Sequence, residues 1–356
     1  MSPAKLKVVE GGAARHATQE PDGARGTSGA SAPSPARSTR EPDGPVRPPA
    51  PDPAEHEARR VRVWQRVDQQ AKSLEVLWER QLRAFFAQQQ EATLNRLEGK
   101  RGRQATRETR APDPGRIFDL GYWRDRLRDL TQGLLETVFT VGSARVAEKF
   151  PDVDIAFDVT APYAAQFISE RANQLAGHVT DTTYRQIQDA LGDGLAAGES
   201  VDQIASRVRA VFTQASETRA ATIARTETIG GLNASTDLAA AQLPRDVAAG
   251  REWIATPDHR TRHDHRDADG QVQPMGMPFT VGGYLMPYPG FPGAPPAQTI
   301  NCRCTLAILT PGELATRQRL EAERRWTPEQ AVRVLALVEA RVIDPDAVPK
   351  ALAAVG

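Results

Sequence analysis

The feature that most constrains this chain is a helical period that begins abruptly at Trp64. Trp64, Val67, Ala71, Leu74 and Trp78 recur at alternating three- and four-residue steps, and after a slip the stripe resumes at Leu82, Phe85, Phe86, Leu94 and Leu97. Apolar residues at this spacing line one face of a helix, and that face needs a partner surface along its whole length. The pattern predicts one long amphipathic helix ending near Gly99, packed in a bundle, with a coiled-coil dimerisation arm as the alternative. What precedes it has the opposite character. Residues 1–63 contain no Phe, Trp or Tyr, and ten of the 27 prolines lie between Pro3 and Pro53. Such a segment buries too little apolar surface to offset its ordering entropy, so 1–55 is expected to be a disordered tail. Its charges cancel, with seven basic and seven acidic residues up to Glu55, which suits a tether better than a nucleic-acid arm.

The whole chain has 45 basic and 45 acidic residues in its 356, so no global field draws it to nucleic acid or anionic lipid. Contact with double-stranded DNA has to be local. The best candidate is the stretch from Gly99 to Pro112, where Lys100, Arg101, Arg103, Arg107 and Arg110 face one acid, Glu108. A solvated charge run is the competing reading. No apolar run approaches the ~18 residues of a spanning helix, and Met1 to Glu20 lacks the apolar core of a secretory signal. A cytoplasmic chain without a membrane partner is expected.

A second stripe runs through Ile117, Leu120, Leu127, Leu130, Leu134, Val138 and Val141, and a third from about Pro162 through Tyr163, Phe167, Leu175, Ile187 and Leu191. Between them Asp152 to Val159 alternates polar and apolar residues, as a short strand or extended linker would. Gly192, Gly194 and Gly198 are expected to interrupt the third helix, and Ser200 with Gln203 has the spacing of a capping box for a short helix through Phe212.

The chemistry gathers after residue 216. A helix from about Glu217 to Leu243 places Thr226, Gly230, Asn233 and Asp237 within about 40° of one another, with Glu227, Gly231, Ala234 and Leu238 on the adjacent stripe. Small residues let a neighbouring backbone come close, and polar residues among them imply hydrogen-bond partners there. The helix is expected to staple, through Arg225, Thr226, Glu227 and Asn233, the loop Asp258 to Gly270 and the segment Asn301 to Cys304. Between the helix and that segment lie a strand at Arg251 to Thr256 anchored by Trp253, a loop with three histidines, three arginines and four aspartates, and an irregular excursion with seven prolines. A second strand at Thr305 to Leu309 closes it, and an excursion of this length in a compact domain needs something to hold it.

Zinc is one such device. His263, His265, Cys302 and Cys304 offer two nitrogens and two thiolates, a set that suits a tetrahedral site, although both pairs are spaced more closely than in a standard finger. No other cofactor is expected. The competing reading has His265 bonded to neighbouring backbone and the two cysteines packed as small apolar groups. A nuclease of the His-Asn-His type would use Asp258, His259 or His265 and Asn301, but the ββα order of such a site is not visible.

Taken in order, Ala224-Arg-Thr-Glu-Thr228, Asn233, Trp253, Asp258-x-Arg260-Thr-Arg262, His265, Asp269-Gly270, Phe279, Pro287 and Asn301-Cys302-Arg303-Cys304 resemble the C-terminal signature of the phage Mu F-like minor head proteins, the phage head morphogenesis family. The resemblance covers about 160–309. It implies a structural protein of a tailed-phage or prophage head, bound to the portal and other head proteins. Such a protein lies inside the virion head after assembly in the host cytoplasm, and acts in head morphogenesis and in handling packaged or ejected DNA. The alternative is an enzyme on the same module, either a metal-dependent hydrolase or nuclease or an ADP-ribosyltransferase-like protein using Arg225 and Glu227. No nicotinamide-binding arrangement is visible, and the 52 residues after Cys304 read as helices, Glu313 to Arg325 and Pro328 to Arg341. The expected fold is α+β and mostly helical: a tail over 1–55, a helical region over 56–215, a small α+β module over 216–310 with few short strands and a long Pro-rich loop, and C-terminal helices over 311–356.

Overall fold

A computed structural model describes residues 53–99, 113–153 and 157–323. The expected tail up to residue 52, the basic stretch Lys100 to Arg110 and the expected helix Pro328 to Arg341 lie outside the described residues. The protein is mostly helical with a few short antiparallel strands near its C-terminal end.

Helix α1 (Pro53–Glu98) has 46 residues, about 70 Å at 1.5 Å per residue. The stripe from Val67 through Trp78, Leu82 and Phe86 to Leu97 is buried, and α1 packs against α3 (Leu120–Lys149), α5 (Val201–Gln214) and α6 (Ala220–Ala241). The bundle partner that its period demands is therefore in its own chain. The second stripe is split into α2 (Pro114–Ile117) and α3 because Asp113 and Asp119 each accept a hydrogen bond from the first turn that follows, from Gly115 N and Tyr122 N at 3.0 Å. Residues 151–153 and 157–159 are not in a strand. Helix α4 (Pro162–Ala196) runs through Gly192 and Gly194, where an interruption was expected. It stops at Ala196, two residues before Gly198, whose φ of +68° glycine adopts at little cost. The capping box of Ser200 and Gln203 forms on α5.

A further departure concerns α5 and α6. They join through one π-helical turn at Ala215–Arg219 into a single run from Val201 to Ala241. No Gly or Pro lies in that turn, so the chain absorbs the phase change between two stripes by a wider turn and keeps the helix intact.

Beyond α6, β1 (Gly250–Ile254) is the central strand of an antiparallel sheet ordered β2-β1-β5, with β2 at Val272–Pro274 and β5 at Thr305–Leu309. Glu252 sits opposite both Val272 and Ala307, and Trp253 opposite Leu306. The excursion is more ordered than its prolines suggest. It carries α7 (His263–Asp267), the hairpin β3 (Phe279–Val281) to β4 (Tyr284–Met286) and α8 (Pro296–Thr299). Gly282 and Gly283, at φ +55° and +82°, make the tight hairpin turn. α9 (Pro311–Glu323) packs on β1, β2 and β5, two residues ahead of its expected start. The large core joins the helices, while a smaller one gathers Trp253, Ala255, Ala268, Phe279, Val281, Met286, Cys302 and Cys304.

Candidate functional site

Helix α6 has two working faces. On the first, Thr226 Oγ1 accepts the amide of Asn301 at 3.1 Å, Gly230 abuts the backbone of Gly290, and Asp237 pairs with Arg251 at 2.6 Å. Asn233 is fully buried and makes three bonds, donating to the carbonyls of Pro289 and Cys304 at 3.0 Å each and accepting from Thr305 Oγ1 at 2.9 Å. Every acceptor it meets is thereby satisfied, which in a buried site decides between a gain and a loss of stability. Arg225, partly exposed, reaches Asn301 Oδ1 at 3.4 Å and Glu75 of α1 at 3.5 Å.

The second face turns to the bundle. Gly231 lies against Val138 of α3, and a Cβ at Gly142 of α3 would collide with Ser235. Glu227 was expected to reach the loop. It instead accepts both forks of Arg171 on α4, at 2.7 and 2.5 Å, because the 100° step from Thr226 turns it towards the helices. Burial works to lower the Arg171 pKa, but the Glu227 charge and hydrogen bond outweigh it and leave it raised. Arg171 carried no sequence signal, since a lone arginine on an amphipathic helix looks like solvated surface.

The loop after β1 is fastened mainly to the segment that precedes β5. Asp258 accepts from Arg303 at 2.9 and 2.7 Å and from the Arg260 amide at 3.0 Å, and Arg262 donates to the Ile300 carbonyl. Burial pushes the Asp258 carboxyl up, but the Arg303 bonds and charge, with Arg260, hold it at about 2. The Arg260 guanidinium is largely exposed. Gly270, at φ +77°, donates its amide to the Trp253 carbonyl at 2.9 Å. Two buried charges that sequence reasoning missed also hold this region. Arg251 donates to Asp237 and to the carbonyls of Pro287 and Met277 and stacks over Phe279, and Glu252 takes Arg60 of α1 at 2.9 Å and Arg317 of α9 at 3.2 Å. Both sit on β1, where alternation of polar and apolar residues suggests one wet face. The α1 and α9 cover removes that face from water, and all five β1 residues are buried.

At the centre of the module His265, Cys302 and Cys304 are buried together. His265 Nδ1 lies 3.4 Å from Cys304 Sγ and 3.6 Å from Cys302 Sγ. His265 Nε2 lies 2.9 Å from Gln298 Oε1, and Gln298 in turn donates to Asp264 at 2.6 Å. The indole of Trp253 stands edge-on to the imidazole with centroids 5.7 Å apart. The cysteines are free thiols. A hydrogen bond from Cys304 holds the Cys302 pKa down, and that same bond, with burial, pushes Cys304 well up. Among the described residues these three form the group of His, Cys, Asp and Glu side chains able to hold a metal ion. His263 does not join them. It is exposed at the start of α7 and pairs with Asp267 at 2.8 Å, because two residues along a helical turn point away from each other. Asn301, at φ +57°, is the one non-glycine among the described residues with positive φ, and it turns the chain so that both cysteines face His265.

Residues 185–307, from within α4 to β5, match the family described as Phage Mu protein F like protein. This part of the chain is similar to the proteins of that family. The match lies inside the expected 160–309 and contains every bond between α6 and the Asn301 to Cys304 segment. Three relatives illustrate the kinship. Minor head protein GP7 of Bacillus phage SPP1 is 34% identical over 131 residues, 36% of this chain and 42% of that protein. NAD(+)--arginine ADP-ribosyltransferase EFV of Enterococcus faecalis is 29% identical over 160 residues, 43% of this chain and 31% of that protein. The uncharacterized protein YqbB of Bacillus subtilis is 22% identical over 195 residues, 54% of this chain and 63% of that protein. The chain thus spans 31%, 42% and 63% of the length of these relatives, less than two thirds of each. No solved structure matches it.

Proposed function

We propose that this chain is a structural minor head protein of a tailed phage or prophage. It would be held at the portal with other head proteins inside the virion head, and act in head morphogenesis and in handling packaged DNA. The observation that carries the reading is the coincidence of the Mu F-like match, the likeness to a phage minor head protein and the stapled module. The polar residues that mark the motif are used as internal fasteners. Asn233, Asp258 and Thr226 each bind backbone or a counter-charge of the same chain, and Arg251, outside the motif, does the same. In this role the module is a rigid fitting, and Lys100, Arg101, Arg103, Arg107 and Arg110 supply sequence-independent contact with double-stranded DNA. Among the described residues no helix is long and apolar enough to cross a membrane, in keeping with a head protein.

The enzyme alternative would make Arg225 and Glu227 an active pair, as the name of the Enterococcus relative invites. Glu227 is buried and both its oxygens are bound to Arg171, so the staple accounts for it without a substrate. The test is to tag the gene in the phage or prophage that encodes it, induce, and quantify the protein by mass spectrometry in purified particles against the portal. A few copies per portal ring in DNA-filled heads is the expected result; absence from particles at every stage of assembly would reject the head role. For the DNA contact, affinity for double-stranded DNA should fall steeply with salt and drop when the five basic residues are neutralised. A flat salt response removes that part of the reading.

A further inference from the structure

We propose that His265, Cys302 and Cys304 bind one zinc ion, with Gln298 and Asp264 as the pair that orients the histidine. The proposal goes beyond the head role and does not depend on it.

In a tetrahedral zinc site with bonds of about 2.3 Å to sulfur and about 2.0 Å to nitrogen, a nitrogen and a sulfur ligand lie about 3.5 Å apart. His265 Nδ1 is 3.4 Å from one sulfur and 3.6 Å from the other, and all three ligand atoms lie within 4.8 Å of one another. The neighbours of the far ring nitrogen fix the tautomer. Gln298 donates its NH₂ group to Asp264 at 2.6 Å, which turns its carbonyl oxygen towards His265 Nε2 at 2.9 Å. An oxygen acceptor there requires the proton on Nε2, so Nδ1 presents a bare lone pair to the two sulfurs. A metal-bound histidine is held in this way, with the far N–H given to an oxygen that is itself hydrogen-bonded. Gly282 belongs to the same arrangement: a Cβ there would collide with Asp264 Oδ2 and Gln298 Nε2, so the β3–β4 turn closes directly over the orienting pair.

The chemistry of the donor set selects the ion. One imidazole and two thiolates suit zinc over magnesium or calcium, which take oxygen ligands. No fourth His, Cys, Asp or Glu among the described residues joins the cluster, so the fourth position falls to water or another small ligand. The ligands are 37 and 39 residues apart in sequence. An ion at this point ties the start of the long excursion to its end, between α7 and β5, where the small core gathers eight buried apolar residues among the described ones.

The measurement is metal content of the full chain, purified without metal-affinity resin, followed by replacement with cobalt(II). We expect one zinc per chain, a thiolate-to-cobalt charge-transfer band on replacement, and loss of both in His265→Asn and in Cys304→Ser. His263→Ala should keep the ion at full stoichiometry. Gln298→Ala, which leaves every ligand in place and keeps the proposal testable should the ligand variants fail to fold, should weaken zinc affinity about 10–100-fold. A zinc-free protein that takes up neither ion when supplied with it overturns the site, leaving a network of thiol and imidazole hydrogen bonds. Unchanged affinity in Gln298→Ala overturns the orienting role, and loss of the ion in His263→Ala overturns the ligand set.

Discussion

Gly230 of α6 and Gly290 of the proline-rich loop touch backbone to backbone: a Cβ on Gly230 would stand 2.9 Å from the Gly290 carbonyl oxygen, and one on Gly290 would stand 2.9 Å from Gly230 Cα. The loop can therefore reach Asn233, one turn along the same face, only while both positions lack a side chain. Gly230→Ala should destabilise the protein by up to about 2 kcal/mol, the overpacking cost of about 1–3 kcal/mol less the roughly 1 kcal/mol gained from replacing glycine within a helix. Gly177→Ala in α4, where nothing lies within 4 Å of the new methyl, should raise stability by up to about 1 kcal/mol. Urea midpoints of the two variants should move in opposite directions; equal shifts would mean that the close approach is unimportant.

The Gly230 contact also shows what the sequence can tell. Thr226, Gly230, Asn233 and Asp237 fall on one face by arithmetic alone, and all four meet the module after α6. The bundle stripes of α1 and α3 and the strand at Trp253 are readable for the same reason: burial imposes a period. Features without a period stay hidden. Arg171, Arg251 and Glu252 are single charges whose burial depends on elements far away in the chain, and Gln298 has no motif until His265 is placed beside it. The hairpin β3 to β4 was hidden by prolines at 278, 287 and 289, which sit just outside its strands. His263 was drawn into the metal set by composition, and the phase of a five-residue helix removes it.

Asn301 puts a side chain in left-handed backbone at φ +57°, a conformation that costs most residues about 1–2 kcal/mol and costs Asn and Gly less. Asn301→Ala and Asn301→Gly both remove the acceptor for Arg225, so the difference between them isolates the backbone. The alanine variant should be less stable than the glycine variant by about 1 kcal/mol. Thermal unfolding in parallel checks this, and an alanine variant at least as stable as the glycine one would contradict the assigned turn.

The Arg171–Glu227 pair joins α4 to α6 in a nearly dry environment, with 17% and 6% of the side chains exposed. Removing one partner of such a pair leaves a buried charge without compensation and costs about 3–5 kcal/mol, whereas replacing both with apolar groups is often close to neutral. Arg171→Met should therefore destabilise strongly, and adding Glu227→Met should restore most of the loss. Chemical denaturation of the two singles and the double forms a closed cycle. Additive effects would show that the two side chains act independently and would reopen a separate role for Glu227.

Asp258 supplies the pH dependence. Its carboxyl sits at about 2 in the folded protein, against about 3.9 in an unfolded chain. Because the folded value is the lower one, the stabilisation from Arg303 is fully present above about pH 4 and is lost as pH falls through about 2. The side chain is 25% exposed, so salt should weaken the effect. Other carboxyls share this window, Glu313 among them, since its Lys149 bond outweighs burial and lowers its pKa. The informative quantity is thus the wild-type midpoint minus that of Asp258→Asn, measured in urea at pH 5 and pH 3. The difference should shrink at pH 3, and shrink further in high salt. A difference that stays constant with pH would mean that Arg303 and Asp258 are not paired in solution.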